Sequence, residues 1–161
     1  MGNTKSLLAV DLGLRSGLAL YSENGKLRWY RSHNFGSRDR LRRGVYSILR
    51  EIDDLACVIL EGDAALARAW IKEAKRRNID AQLINAETWR ASLLRERNQR
   101  SGTAAKQSAD ALARKIIDSS GLARPTSLRH DAAEAILIGM WAILELGWLD
   151  DLPTGWAALQ T

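Results

Sequence analysis

Residues Ser6 to Tyr21, SLLAVDLGLRSGLALY, constrain the fold more than any other stretch of the chain. An apolar run ends in a carboxylate, a turn with two glycines and an arginine follows, and a second apolar run returns. Leu7 to Val10 form a short continuous apolar run bounded by turn residues, the pattern of a buried strand. Gly13, Ser16 and Gly17 are turn chemistry, so Gly17 to Tyr21 is expected to return beside the first strand as a hairpin. Asp11 then lies near the middle of a sheet, on an otherwise oily strand. Burying a lone carboxylate is costly unless it is paired, hydrogen-bonded or bound to metal, so Asp11 calls for partners.

The 161 residues fit one domain with a sizeable core. That domain is expected over residues 3–147, with 148–161 as a C-terminal tail that packs loosely or not at all. No apolar run approaches the roughly 20 residues that span a bilayer, and the N-terminal run, interrupted by Asp11, lacks the pattern of a secretory signal. The single cysteine, Cys57, cannot form an internal disulfide and fits a reducing compartment. A cytoplasmic protein with no membrane partner is expected. The formal charge of +5 and pI near 9.7 come largely from arginine, including Arg38, Arg40, Arg42 and Arg43, then Arg76 and Arg77, then Arg90, Arg95, Arg97 and Arg100. Guanidinium forks match phosphate geometry, which favours a polyanionic partner, with well-solvated helix faces as the equal alternative on charge alone.

Asn24-Gly25 is a strong hairpin signal and predicts a third antiparallel strand over Lys26 to Phe35. Ser37 can cap a helix from Arg38 to Leu55 whose apolar positions Leu41, Val45, Ile48, Leu49 and Ile52 follow helical spacing. A strand at Ala56–Leu60, a helix at Ala64–Arg77, a strand at Asp80–Ile84 and a short helix at Ala86–Leu94 follow. Arg95 to Thr103 is polar, basic and aperiodic, the composition of a loop. A helix from Thr103 or Ala104 to Ser119 and a strongly apolar one from His130 to Leu146 complete the pattern. Three strands, then alternating helix and strand, then helices predict an α/β fold with a mixed sheet covered on both faces.

Asp11 ends the first strand, Glu61 directly follows the apolar run VIL, and Asp131 and Glu134 lie three apart at the start of the last helix. Acids three apart share a helix face. Each has an ordinary alternative: a turn former at Asp11, a solvated strand end at Glu61, dipole complementation at the helix start. Taken together, strand ends and a helix N-terminus can bring all four side chains to one place. Such a cluster repels itself unless divalent cations neutralise it, and an all-oxygen set favours Mg²⁺ or Mn²⁺. Two such ions about 4 Å apart are a recurring device for phosphodiester cleavage.

These motifs resemble the RNase H-like superfamily and, within it, the RuvC-type Holliday-junction resolvases. Those proteins carry an Asp-x-Gly-x-Arg turn after the first strand, matched by AVDLGLRSG from Asp11 to Gly17, with Leu12 where a proline is usual. Their second acid follows a central strand, matched by Glu61 in VILEGD. Their last helix opens with two acids three apart, matched by Asp131 and Glu134 in RHDAAEAILI, and a basic residue on the preceding helix is matched by Lys106 in GTAAKQSAD. The resemblance covers Leu7 to about Leu146.

It implies a five-stranded RNase H-like sheet flanked by helices and a homodimeric endonuclease acting on four-way DNA junctions in recombination or repair. Two Mg²⁺ (or Mn²⁺) ions would be held by Asp11, Glu61, Asp131 and Glu134. Lys106 would steady charge on the phosphate, with a solvated lysine as the alternative. Arg15 and the loop with Arg95, Arg97 and Arg100 would hold backbone phosphates, and His130 would neighbour the acids as a proton-transfer group or simply a helix-start residue. Trp70 would either wedge the junction or belong to the core. Rival readings are a YqgF-like nuclease of structured RNA and a silent nucleic-acid-binding module. The ATP-binding lobes of actin and sugar kinases also begin Asp-x-Gly but need two lobes, so no nucleotide cofactor is expected.

Overall fold

Alternation along the first strand divides the core into two layers. In β1 (Ser6–Asp11), Leu7 and Ala9 pack on one face of the sheet, and Leu8 and Val10 on the other, as the two-residue strand period requires. The computed structural model describes residues 4–94 and 102–153. β2 (Arg15–Ser22) and β3 (Leu27–Asn34) continue from β1 as an antiparallel meander. β4 (Leu55–Glu61) joins the other edge of β1 in parallel, and β5 (Asp80–Ile84) extends the sheet parallel to β4. The order is β3-β2-β1-β4-β5, the mixed five-stranded α/β sheet expected.

Helices α1 (Arg38–Glu51) and α2 (Ala64–Arg76) cover the Leu8 and Val10 face. Helices α3 (Ala86–Leu93), α4 (Gly102–Ser119) and α5 (His130–Glu145) cover the opposite face. Three helix starts are fixed by side-chain caps that satisfy otherwise unpaired backbone N–H groups. Ser37 accepts from Arg40, Asp63 from Ala65 and Leu66, and Asn85 from Thr88. α1 stops at Glu51, four residues before the expected end, because Asp54 and Leu55 are needed elsewhere. Leu55 opens β4 opposite Ser6. The Asp54 carboxylate accepts from Thr4, from Ser6 Oγ at 2.8 Å and from Arg28 Nη1 at 3.1 Å, tying together the start of β1, β3 and the turn before β4. Hydrogen bonds from Arg28 hold that carboxyl down at about 2. Among the described residues, no helix is long and apolar enough to cross a membrane.

α5 is apolar almost all round, and its residues from Ala132 to Ile143 are buried, as such a helix must be. Two glycines let it lie directly on the sheet. A Cβ on Gly139 would meet the Tyr21 ring at 2.3 Å, and one on Gly17 would lie 1.8 Å from the Asp131 carbonyl oxygen. Between them, the buried Tyr21 hydroxyl donates to the Ile136 carbonyl at 2.6 Å.

Of the two readings of Trp70 the core holds, and the expectation for the tail is corrected at its start. Trp70 is fully buried on α2 among the residues under α1 and the sheet, so it belongs to the core and has no surface with which to wedge a junction. The start of the tail does pack: Trp148, Leu149 and Leu152 are half-buried against the α5 core, with Leu149 over Gly25. Apolar side chains that close a gap over a hairpin turn leave water for the same reason core residues do.

Gly17→Ala tests the contact that seats α5. Because the atoms in the way are backbone, the helix start must move, at a cost of about 1–3 kcal/mol or more. Urea denaturation should show that loss, and a neutral result would contradict the close packing of α5 on β2.

Candidate metal centre

Strand register places the first two acids side by side. Asp11 ends β1, and its partners in register are Gly17 on β2 and Glu61 on β4. Because Ala9 and Ile59 face the α5 core, Asp11 and Glu61, two residues further along their strands, face it too. Gly17 presents no side chain beside them, so the first turn of α5 sits on that spot with the Asp131 backbone against Gly17. Glu134, about one turn further along, reaches over the strand ends. One carboxylate oxygen from each of Asp11, Glu61 and Glu134 lies within 4.8 Å of the other two.

The turn leading out of Asp11 is held tightly. Leu12 N–H donates to the Glu61 carbonyl at 2.9 Å, joining the ends of the two acid-bearing strands. Ser16 Oγ, fully buried, donates to the Gly13 carbonyl at 2.7 Å. Gly13 leaves room where a Cβ would press on the Arg15 carbonyl at 2.5 Å.

Three carboxylates so close, with Glu134 buried and the others half-buried, cannot all carry charge unaided. Burial, and then the charges of Glu134 and Glu61, push Asp11 up to about 9, so in the metal-free protein it keeps its proton at neutral pH and donates it to Glu61. Burial likewise raises Glu61, opposed by that hydrogen bond and by the charge of Arg90. Glu134 is held by two side chains: Arg90 Nη2 donates to Oε1 at 2.7 Å, and His130 Nε2 lies 3.1 Å from the same oxygen. A cation among the three acids would supply the compensation that the Asp11 proton now provides. All donors are carboxylate oxygens, the chemistry of a hard divalent ion. The residues fit such an ion.

Asp131 is placed differently from the other three acids. Its carboxylate accepts from Ser32 Oγ on β3 at 2.9 Å and from the Ala132 N–H at 2.7 Å, and it stands outside the three-acid group. Lys106 is exposed on α4 and lines a cleft of about 300 Å³ together with His130, Gln107, Asp110, Leu128 and Ala133. It therefore stands on the Glu134 side of the site. Arg15 is exposed at the start of β2, opposite Asn34. Arg95, Arg97 and Arg100 lie outside the described residues.

Two contributors escaped the sequence reading. Arg90 counted there only toward the basic excess, and its bond to Glu134 spans 44 residues with no local signal. Gly17 read as a turn residue, whereas its role is to let a helix touch the sheet. The His130–Glu134 contact was within reach, since residues four apart meet on a helix.

This sheet, its order and the acid cluster at its end define an RNase H-like α/β fold. The chain is similar to T. thermophilus RuvC, solved in complex with a Holliday junction substrate, with a TM-score of 0.62 and 16% identity over 89% of this chain and 97% of that one. A second solved structure, the large terminase nuclease from thermophilic phage G20c, aligns with a TM-score of 0.45 and 10% identity over 89% of this chain and 82% of that one. No family model and no curated protein matches the chain.

The raised Asp11 fixes a sign for stability. The folded metal-free protein binds this proton more tightly than the unfolded chain, where the value is 3.8. Its contribution is fully present below about pH 4 and is lost as pH rises toward 9. Asp11→Asn is expected to raise the melting temperature of the metal-free protein at about pH 8 and to abolish the Mg²⁺-dependent rise that ligand binding gives the wild type. A variant that is less stable without metal, or that keeps the Mg²⁺ shift, contradicts the assignment.

Proposed function

We propose that the protein is a divalent-metal-dependent endonuclease that hydrolyses phosphodiester bonds in branched DNA, with the four-way junction as its substrate and a homodimer as its working form. The observation that carries the reading is the convergence of Asp11, Glu61 and Glu134 from three separate elements at the end of an RNase H-like sheet. The likeness to a RuvC solved with a Holliday junction supports the choice of substrate. The nuclease domain would span residues 3–147.

Asp11, Glu61 and Glu134 would hold the metal, with Asp131 turning from Ser32 to complete a two-ion set. A Mg²⁺ or Mn²⁺ ion held there would supply water activation and charge stabilisation at the scissile phosphate. The chain's own groups orient and contain that chemistry. Arg90 and His130 fix the Glu134 carboxylate, Lys106 approaches from the neighbouring cleft as a partner for phosphate charge, and Arg15 stands where the backbone would enter. Arg95, Arg97 and Arg100 would grip phosphates further from the cut, which positions DNA without reading its sequence. Two sites held apart by a dimer would select the junction by shape.

A side-by-side cleavage assay tests this, offering a mobile four-way junction, a linear duplex and an RNA stem with and without Mg²⁺. Paired symmetric nicks in the junction, dependent on Mg²⁺, are expected. Asp11→Asn should abolish cleavage and leave junction binding intact. Cutting of the RNA stem would instead identify a nuclease of structured RNA, and binding without cutting a silent module.

A further inference from the structure

A second basic feature lies on the face of the sheet opposite the carboxylates. Helices α1 and α2 pack side by side and leave between them a groove of about 750 Å³, floored by Leu41, Leu66 and Ala69. Its rim carries six cations, Arg38, Arg42, Arg43, Arg68, Lys72 and Arg76, and a single carboxylate, Glu73. Glu73 is already committed to Arg76 at 3.2 Å and Arg77 at 2.8 Å. The whole chain has 24 Lys and Arg against 19 Asp and Glu. With the groove's share set aside, the remainder holds equal numbers of each sign, so the entire formal excess of +5 is the charge of this groove.

The arrangement costs stability, which argues against a merely solvated surface. Arg38, Arg42 and Arg43 crowd the first half of α1, and Arg38 stands in the first turn, where the helix dipole disfavours a cation. Only Arg42 finds an acid there, the exposed Asp39 at 3.5 Å. Among the described residues, Arg38, Arg43, Arg68 and Lys72 have no carboxylate partner. Both helices also start at the sheet end that carries the acids. α2 begins three residues after Glu61, and α1 begins four residues after Asn34, which pairs with Arg15. The groove and its six cations thus begin at the sheet end that carries the candidate metal centre and run away from it down the other face.

We infer that the α1–α2 groove is a second nucleic-acid-binding surface, a track for the phosphate backbone that flanks the bond at the carboxylates. The inference rests on the nuclease reading for its choice of occupant. The backbone crosses the ends of β1 and β4 and descends between the two helices, where guanidinium forks pair with its phosphates. An apolar floor with cations on both rims suits a chain of regularly spaced anions, and the contacts carry no sequence information.

Fluorescence anisotropy with a labelled linear duplex and a labelled four-way junction, across a salt series, tests it. The groove variant Arg43→Gln/Arg68→Gln/Lys72→Gln changes three exposed side chains outside the metal centre. It should bind about tenfold or more weakly, with the salt slope reduced by roughly 2–3. The control Lys5→Gln/Lys26→Gln/Lys115→Gln removes the same charge elsewhere and should keep the wild-type slope. Circular dichroism melting curves that match the wild type establish that both variants fold. An unchanged slope in the groove variant, or an equal drop in the control, overturns the inference. The two readings fail separately. Loss of slope in a protein that never cuts overturns the nuclease and keeps the track, and cutting with an unchanged slope does the reverse.

Discussion

The contact of a helix backbone with Gly17 is the constraint on which the rest depends. Gly17, Asp11 and Glu61 occupy one row across three neighbouring strands. A helix can come down on that row only where a side chain is missing, and Gly17 is that place. Once the start of α5 is seated there, Glu134 has little choice but to join Asp11 and Glu61, because about one turn of helix separates it from the point of contact. Gly139 and Tyr21 fix the same helix further along and set its angle. The acid cluster follows from packing on the apolar side of the molecule.

That packing imposes an electrostatic cost the protein meets with protons and cations. A proton on Asp11 and the Arg90 and His130 contacts to Glu134 make three near-touching carboxylates tolerable in the absence of an ion. Each arrangement is one a divalent ion can replace, which is how a stable fold and a strongly attractive metal site can share the same side chains. At the other end of the sheet, Asp54 shows the opposite regime. It is paired with Arg28, hydrogen-bonded by Ser6 and Thr4, and held ionised. Two aspartates at opposite ends of one sheet thus behave oppositely because one has a cation beside it and the other has acids.

Much of the architecture was legible because its signals are local. The apolar run before Asp11, the Asn24-Gly25 turn, the cap at Ser37 and the apolar last helix each declare an element within a few residues. The acids at Asp11, Glu61 and Glu134 were legible for a related reason, since carboxylates that end apolar strands or open a strongly apolar helix demand an explanation. What stayed hidden depends on contacts far apart in the chain. Arg90 meets Glu134 across 44 residues, Asp54 gathers groups 26 to 50 residues away, and Trp148 and Leu149 find their places only once a core exists to receive them. Asp131 shares a helix face with Glu134 as the spacing predicts, but a serine on β3 claims its carboxylate first.

The central claim is that the row under α5 is a divalent-metal site. A crystal structure of the protein grown with Mn²⁺, with data collected for the anomalous signal of manganese, tests it most directly. The account predicts an anomalous peak within coordination distance of Asp11, Glu61 and Glu134, with the Asp11 proton gone and Asp131 free to turn toward a second ion. Manganese bound elsewhere on the protein, with these three carboxylates bare and still sharing a proton, would contradict it.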